Sequence, residues 1–147
     1  MSHARVVAYA SLAVLIALYI VGAVSVPPGS LRHEVQTLPL WLPIVAGFQG
    51  RPVAKWASIP CFALWLVLMV LIWLFLLGWA RIVTGHFSPT EIAMTLVVGI
   101  SSVVGVLSAV RWKTDIRTPT GIGIAAIFFA LQVLALRVSF LPYIARR

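Results

Sequence analysis

Four stretches of the chain contain no Asp, Glu, Lys or Arg, and short polar segments separate them. They run from Val6 to Leu31, Trp56 to Ala80, Ile92 to Val110 and Thr118 to Leu136. At ~1.5 Å per residue, even the shortest stretch forms a helix about 28 Å long, close to the thickness of the hydrocarbon core of a bilayer. Because lipid cannot pair with the backbone, a segment that crosses it must satisfy its own amides. We predict four transmembrane helices, near residues 5–25, 56–80, 90–111 and 119–139.

The long connection between the first two predicted helices contains an apolar stretch that is too short to span a bilayer. It covers residues 38–48, and its prolines at positions 39 and 43 interrupt a regular helix. An interfacial or re-entrant segment held at the headgroups by Trp41 and Phe48 fits this pattern. The predicted fold is therefore all-α: one transmembrane domain over residues 1–147, an integral membrane four-helix bundle with an interfacial or re-entrant segment between helices 1 and 2.

The composition supports a membrane protein. Hydrophobic residues make up 62% of the 147 residues and charged residues only 10%, a balance that a soluble domain of this size could not bury. The formal net charge is +8, but the basic residues stand at the ends of the apolar stretches. That placement favours membrane lipids as partners over nucleic acid. We expect a multi-pass protein of a bacterial inner membrane.

Four crossings would divide the basic residues almost evenly between the two sides. Five would lie on one side and six on the other: Arg5, Arg81, Arg137, Arg146 and Arg147 against Arg32, Arg51, Lys55, Arg111, Lys113 and Arg117. The positive-inside rule does not decide the orientation from these numbers. With four crossings, the second predicted helix would also place His33 and Glu91 on opposite sides of the membrane.

Few residues could carry chemistry. The predicted helices hold no ionisable side chain near their centres, where proton relays and ion paths need one. A loop polar cluster of His33, Glu34 and Asp115 is conceivable, but adjacent residues on an irregular loop point in different directions, so a solvated loop is the simpler interpretation. We predict no catalytic residue, no metal site and no cofactor, and hence no enzyme.

Small residues line one face of the third predicted helix. Ser101, Gly105 and Ala109 recur every four residues, and Gly121 and Ala125 on the fourth helix could supply a matching surface. Gln132 is the deepest amide there and suits an interhelical hydrogen bond. These residues form either the packing surface between the chain's own helices or a face for a partner subunit.

The second predicted helix carries large side chains instead. Trp65, Met69 and Trp73 share one face, which could line a cavity for a quinone or pigment or could simply face lipid and other helices. Aromatic and basic side chains near helix ends are candidate interfacial anchors: Trp41, Trp56, Trp79, Arg81, Trp112 and Arg137.

Three functions remain open from the residues. The favoured one is an accessory or structural subunit that packs against a larger membrane complex and has no catalytic activity. The alternatives are a homo-oligomeric small transporter or channel subunit, and a quinone- or pigment-binding membrane protein. Self-association and other membrane protein subunits are thus both candidate partners.

Overall fold

The protein is all-α over the residues that the structure, a computed structural model, describes: 1–25, 31–82 and 85–145. The helices, in chain order, are α1 (His3–Val24), α2 (Arg32–Thr37), a 3-10 turn (Leu38–Leu40), α3 (Trp41–Phe48), α4 (Val53–Leu76), α5 (Pro89–Arg111), α6 (Thr118–Ser139) and α7 (Pro142–Ala145). We refer to the stretch from Arg32 to Phe48 as the connecting helices.

The four long apolar helices are confirmed. Each of α1, α4, α5 and α6 is long and apolar enough to cross a membrane, and each begins within three residues of its predicted start. Only the end of α4 differs clearly, because Gly78 follows it with φ +74°. The amide of Gly78 donates to the Phe75 carbonyl and that of Trp79 to the Leu74 carbonyl, a Schellman arrangement that ends the helix before residue 80.

The start of α5 combines a capping box with a contact to α1. The Glu91 amide donates to Ser88 Oγ (3.3 Å) and the Ser88 amide donates to Glu91 Oε2 (2.7 Å). Ser25 Oγ, just after α1, donates to the other carboxylate oxygen at 2.7 Å. This bond joins the end of α1 to the start of α5, so these two helices run antiparallel.

Two further contacts fix which helix ends lie together. Lys55 Nζ, near the start of α4, donates to the carbonyl of Trp112 at the end of α5. The Trp56 ring fills the space beside Gly121 at the start of α6. The start of α1, the starts of α4 and α6 and the end of α5 therefore lie at one end of the bundle, which we call the near end. The opposite ends of these helices form the far end.

The connecting helices run the whole length of this bundle. His33 packs against Gly22 near the end of α1, whereas Gly47 packs against Ala4 and Ala8 near its start. The ring centroids of Tyr9 and Phe48 are 5.1 Å apart. His33 and Gly47 are fourteen residues apart, and so are their partners in α1, Gly22 and Ala8. At ~1.5 Å per residue each stretch covers about 21 Å, so the connecting helices run antiparallel to α1 and pair with it almost residue for residue.

This course differs from the interfacial or re-entrant placement expected from the sequence. Shorter helices lie between the first two long helices, in the connection where the sequence indicated an interrupted helix, and they pass from the far end to the near end. They pack against α1 on one side and against α4 and α6 on the other. Pro39 lies in the 3-10 turn and Pro43 in the first turn of α3, so each stands where a helical amide is dispensable.

Because the connecting helices cross the bundle, the sides assigned from four crossings were wrong for several residues. Arg5 lies at the near end with Arg51 and Lys55, not with Arg81. His33 lies at the far end with Glu91, whereas Asp115 follows α5 at the near end. Arg146 and Arg147 lie outside the described residues.

The core lies where α1, α4 and α5 meet. It is a continuous cluster of buried apolar side chains that also takes Leu40 from the 3-10 turn. Around the bundle, packing neighbours follow the order α5, α1, connecting helices, α6 and α4. Helix α6 is the most peripheral of the long helices, which leaves much of its surface outward.

Candidate functional site

A chain of hydrogen bonds links the connecting helices to α6 near the far end. Gln36 Nε2 donates to Ser139 Oγ at 2.9 Å, and Ser139 Oγ donates to the Leu136 carbonyl at 2.6 Å. Gln132 Nε2 donates to the main-chain carbonyl of Gln36, also at 2.9 Å. Gln36, Gln132 and Ser139 are all buried. This group is the most extensive side-chain hydrogen-bonded contact in the described part of the chain.

His33 extends this chain toward the far end. Its Nδ1 lies 3.2 Å from Gln36 Oε1. Because Gln36 donates to Ser139 through its nitrogen, its oxygen must accept, so His33 Nδ1 is the donor. Burial lowers the pKa of His33, and the nearby positive charge of Arg32 lowers it further, against the opposing effects of the Gln36 hydrogen bond and the Glu91 carboxylate.

The network explains how a broken helix fits inside the bundle. Pro39 has no amide for the Val35 carbonyl, which accepts from the Leu38 amide instead. The α-helix then gives way to a 3-10 turn directly after Gln36 and Thr37, which interrupts the regular α-helical hydrogen bonds there. A carbonyl without a partner is costly in a bundle surrounded by lipid. The Gln132 side chain supplies a donor at this point. Its own oxygen, Oε1, is buried and has no partner among the described residues.

The candidate loop cluster of His33, Glu34 and Asp115 is not brought together. His33 and Glu34 begin the connecting helices at the far end, and the full length of α5 separates that end from Asp115. Glu91, which the sequence placed across the membrane from His33, is instead close enough to influence it. The described residues contain no group of three or more His, Cys, Asp or Glu side chains that could hold a metal ion.

The small residues serve mainly the packing between the chain's own helices. A Cβ atom on Gly105 would overlap the Phe62 ring of α4, and one on Gly121 would overlap Trp56. Ala109 is fully buried, whereas Ser101 and Ala125 are partly exposed. Glycine thus allows α4 to approach α5 and α6 closely, and the matching surface comes from aromatic rings, not from other small residues.

The large residues of α4 divide between the core and a surface groove. Trp65 is buried in the core, while Met69 and Trp73 line an apolar groove of about 440 Å³ between α4 and α5. Gly99 of α5 lies along this groove, and a Cβ there would meet no atom within 4 Å. Thr95 also lines it, but its hydroxyl already donates to the Ile92 carbonyl at 2.6 Å. The groove can therefore bind a ligand through its shape and its apolar surface, whereas the Thr95 hydroxyl is not free to bond to a ligand.

Most candidate anchors lie at helix ends. Trp56 and Trp112 lie at the near end, and the exposed Trp79, Arg81 and Arg137 lie at the far end. Trp41 differs: it begins α3, about 9 Å along the helix from Gly47, and so lies between the two ends. Its side chain is 48% exposed on the outside of the bundle.

Sequence reasoning missed Gln36 and Ser139. Gln36 falls in the long connection after the first predicted helix and Ser139 at the predicted end of the fourth, and only the course of the connecting helices brings them together. It also missed Gly123, an exposed glycine of α6. The seven-residue spacing of Gly123 and Ala130 was a visible signal, since residues seven apart share a helix face.

The fold and these sites define the class: an all-α, multi-pass membrane protein. Comparison with family models, curated proteins and solved structures finds no match.

Proposed function

We propose that the chain is a non-catalytic subunit that assembles with a different membrane protein through the outer face of α6. The observation that carries this proposal is Gly123, which lies inside α6. Apart from its neighbours in α6, no atom of the described residues lies within 4 Å of a Cβ added to it. Glycine inside a helix costs about 1 kcal/mol relative to alanine. Nothing in the packing of the described residues requires this glycine, whereas a second helix that approaches closely would.

Other residues extend the same face. Ala126 and Ala130 are exposed, and Arg137 lies two further turns along. Gly123, Ala130 and Arg137 are each seven residues apart and so follow one line along the helix. We call Gly123, Ala126, Ala130 and Arg137 the outer stripe.

Arg137 favours a different protein over a second copy as the partner. In a two-fold dimer whose copies have the same orientation in the membrane, the two outer stripes would pair in parallel, so the two Arg137 side chains would come together. Two guanidinium groups held together in this way repel each other. A partner helix with a carboxylate at the level of Arg137 would pair with it instead. This argument also counts against a homo-oligomeric transporter or channel subunit, which stays a prediction. Location in a bacterial inner membrane likewise stays a prediction.

Site-specific photo-cross-linking in the native membrane tests the proposal. A photoreactive residue at Ala126 is expected to cross-link to one protein, at a helix that carries Asp or Glu near the far end. The same residue at Ala63, an exposed small position on α4, is the matched control and should not. Gly123→Leu should abolish co-purification of that protein, whereas Ala63→Leu should preserve it. Cross-links from Ala126 to lipid alone, or to a second copy of this chain, would contradict the proposal.

A second candidate function has its own observation, the groove between α4 and α5. We propose as the alternative that a flat apolar molecule such as a quinone or pigment binds there, between Trp73 and the open backbone at Gly99. Organic extraction of protein purified from its native membrane should then release one such molecule in stoichiometric amount. Gly99→Leu would fill the groove, so protein with this substitution should release none of that molecule. An extract that contains only phospholipid would eliminate this alternative.

A further inference from the structure

The near end of the bundle collects basic residues that the sequence had assigned to opposite sides. Lys55 bonds to the Trp112 carbonyl, and the Arg51 amide donates to the Ala46 carbonyl next to Gly47. Gly47 in turn packs on the first turns of α1. These contacts bring six Lys and Arg side chains to one end, with Asp115 as the acidic residue among them: Arg5, Arg51, Lys55, Arg111, Lys113 and Arg117.

The far end differs in its balance of charge. Its described residues include three arginines, at positions 32, 81 and 137, and two carboxylates, Glu34 and Glu91. Glu91 accepts hydrogen bonds from Ser25 and Ser88, and the Arg32 guanidinium lies 4.0 Å from the centre of the Phe140 ring. Two of these five charged groups, Glu91 and Arg32, thus already have partners within the chain.

Most basic groups of the near end face outward. All six except Lys55 are exposed, and Lys55 is held between the Trp112 carbonyl and the Trp56 ring. Trp112, which is partly exposed at the end of α5, lies where tryptophan side chains prefer to lie, at the boundary between hydrocarbon and headgroups, whereas the neighbouring Trp56 packs inward on Gly121. The exposed guanidinium and ammonium groups next to Trp112 therefore stand at the level of the lipid phosphates.

We propose that the near end is a binding surface for anionic phospholipid headgroups, with Arg111, Lys113 and Arg117 as its centre. Arg111 is the last residue of α5, and Lys113 and Arg117 lie in the short connection to α6, so the three outnumber the single carboxylate there, Asp115. Each basic residue close to an anionic bilayer surface adds about 1 kcal/mol of attraction, equivalent to roughly fivefold in affinity. This surface is separate from the outer stripe of α6, which we proposed as the binding face for a protein partner.

Native mass spectrometry of the full chain in mild detergent tests this proposal. The protein is titrated with phosphatidylglycerol or with phosphatidylcholine of the same acyl chains, and the apparent Kd of the first bound lipid is measured. We expect tighter binding of phosphatidylglycerol, weakened roughly fivefold by Lys113→Gln or by Arg117→Gln. The matched control is Arg81→Gln, an exposed arginine at the far end, which should leave the preference intact.

Competition experiments distinguish a lipid surface from a site for a soluble anion or for nucleic acid. Millimolar inorganic phosphate should not displace phosphatidylglycerol; displacement would indicate a site for a soluble anion and would overturn the proposal. Equal affinity for the two lipids, or an equal loss in Arg81→Gln, would overturn it as well. Binding of a short single-stranded oligonucleotide more tightly than phosphatidylglycerol would point to nucleic acid instead. Thermal unfolding of each variant without added lipid checks that the fold is unchanged.

Discussion

Gln132 illustrates how one side chain supports a neighbouring helix. Its amide nitrogen holds the Gln36 carbonyl at the place where the connecting helices change from an α-helix to a 3-10 turn. The sequence correctly suggested an interhelical hydrogen bond for Gln132 but gave no sign of the acceptor. Every residue has a main-chain carbonyl, so the residue types along the sequence do not show which carbonyl accepts this bond.

At the residue scale, we predict that Gln132→Leu destabilises the protein by about 1–2 kcal/mol. The substitution fits apolar surroundings, but it leaves a buried carbonyl without its donor. Leu134→Ala, at an outward position on the same helix, is the control and should cost less than about 0.5 kcal/mol. Reversible unfolding in mixed micelles measures both. Equal effects of the two substitutions would show that the bond to Gln36 adds no stability.

The glycines of α5 show that the same residue type has different roles within one helix. Gly105 faces the Phe62 ring of α4, whereas Gly99 faces open space. Periodicity identified Gly105 as part of a packing face, but it could not identify the aromatic ring opposite, because that depends on the register between α4 and α5.

At the element scale, we predict that Gly105→Ala destabilises the contact between α4 and α5 by about 1–3 kcal/mol. The added methyl overlaps a fully buried ring, so overpacking outweighs the gain in helix propensity. Gly99→Ala, the matched control, has room for its methyl and should be neutral or slightly stabilising. Phe62→Leu should partly rescue Gly105→Ala in a double-mutant cycle, measured by the same unfolding assay.

The long helices could be predicted from the sequence, whereas the connecting helices could not. Charge-free stretches of sufficient length mark α1, α4, α5 and α6 because each meets the demands of lipid through its own residues. The connecting helices begin with Arg32, His33 and Glu34 and contain two prolines, so no window of hydropathy singles them out. Their position depends on Gly47 against α1 and on Gln132 and Ser139 of α6, and such contacts between distant residues are invisible along the chain.

At the scale of the whole molecule, we predict that the two ends of the connecting helices face opposite sides of the membrane. Glu34 should share a side with His86, and Gln49 should share the other with Asp115. A membrane-impermeant maleimide applied to intact cells can report this with single cysteines at the four positions. Cys61 is fully buried, and its replacement by alanine removes any background. Glu34→Cys decides between the two topologies. If the reagent labels the cysteine at position 34 from the same side as the one at position 115, the chain crosses the membrane four times and the prediction of five crossings is wrong.

The dependence of the connecting helices on α6 has a consequence for biosynthesis. A ribosome-bound chain presents Arg32–Phe48 to the insertion machinery long before Gln132 and Ser139 have been made. The segment is too short and too polar at its start to enter lipid by itself. We therefore expect a nascent chain that stops before α6 to leave this segment at the membrane surface and to be degraded quickly, so that assembly is completed only after α6, in the last fifth of the polypeptide, has emerged.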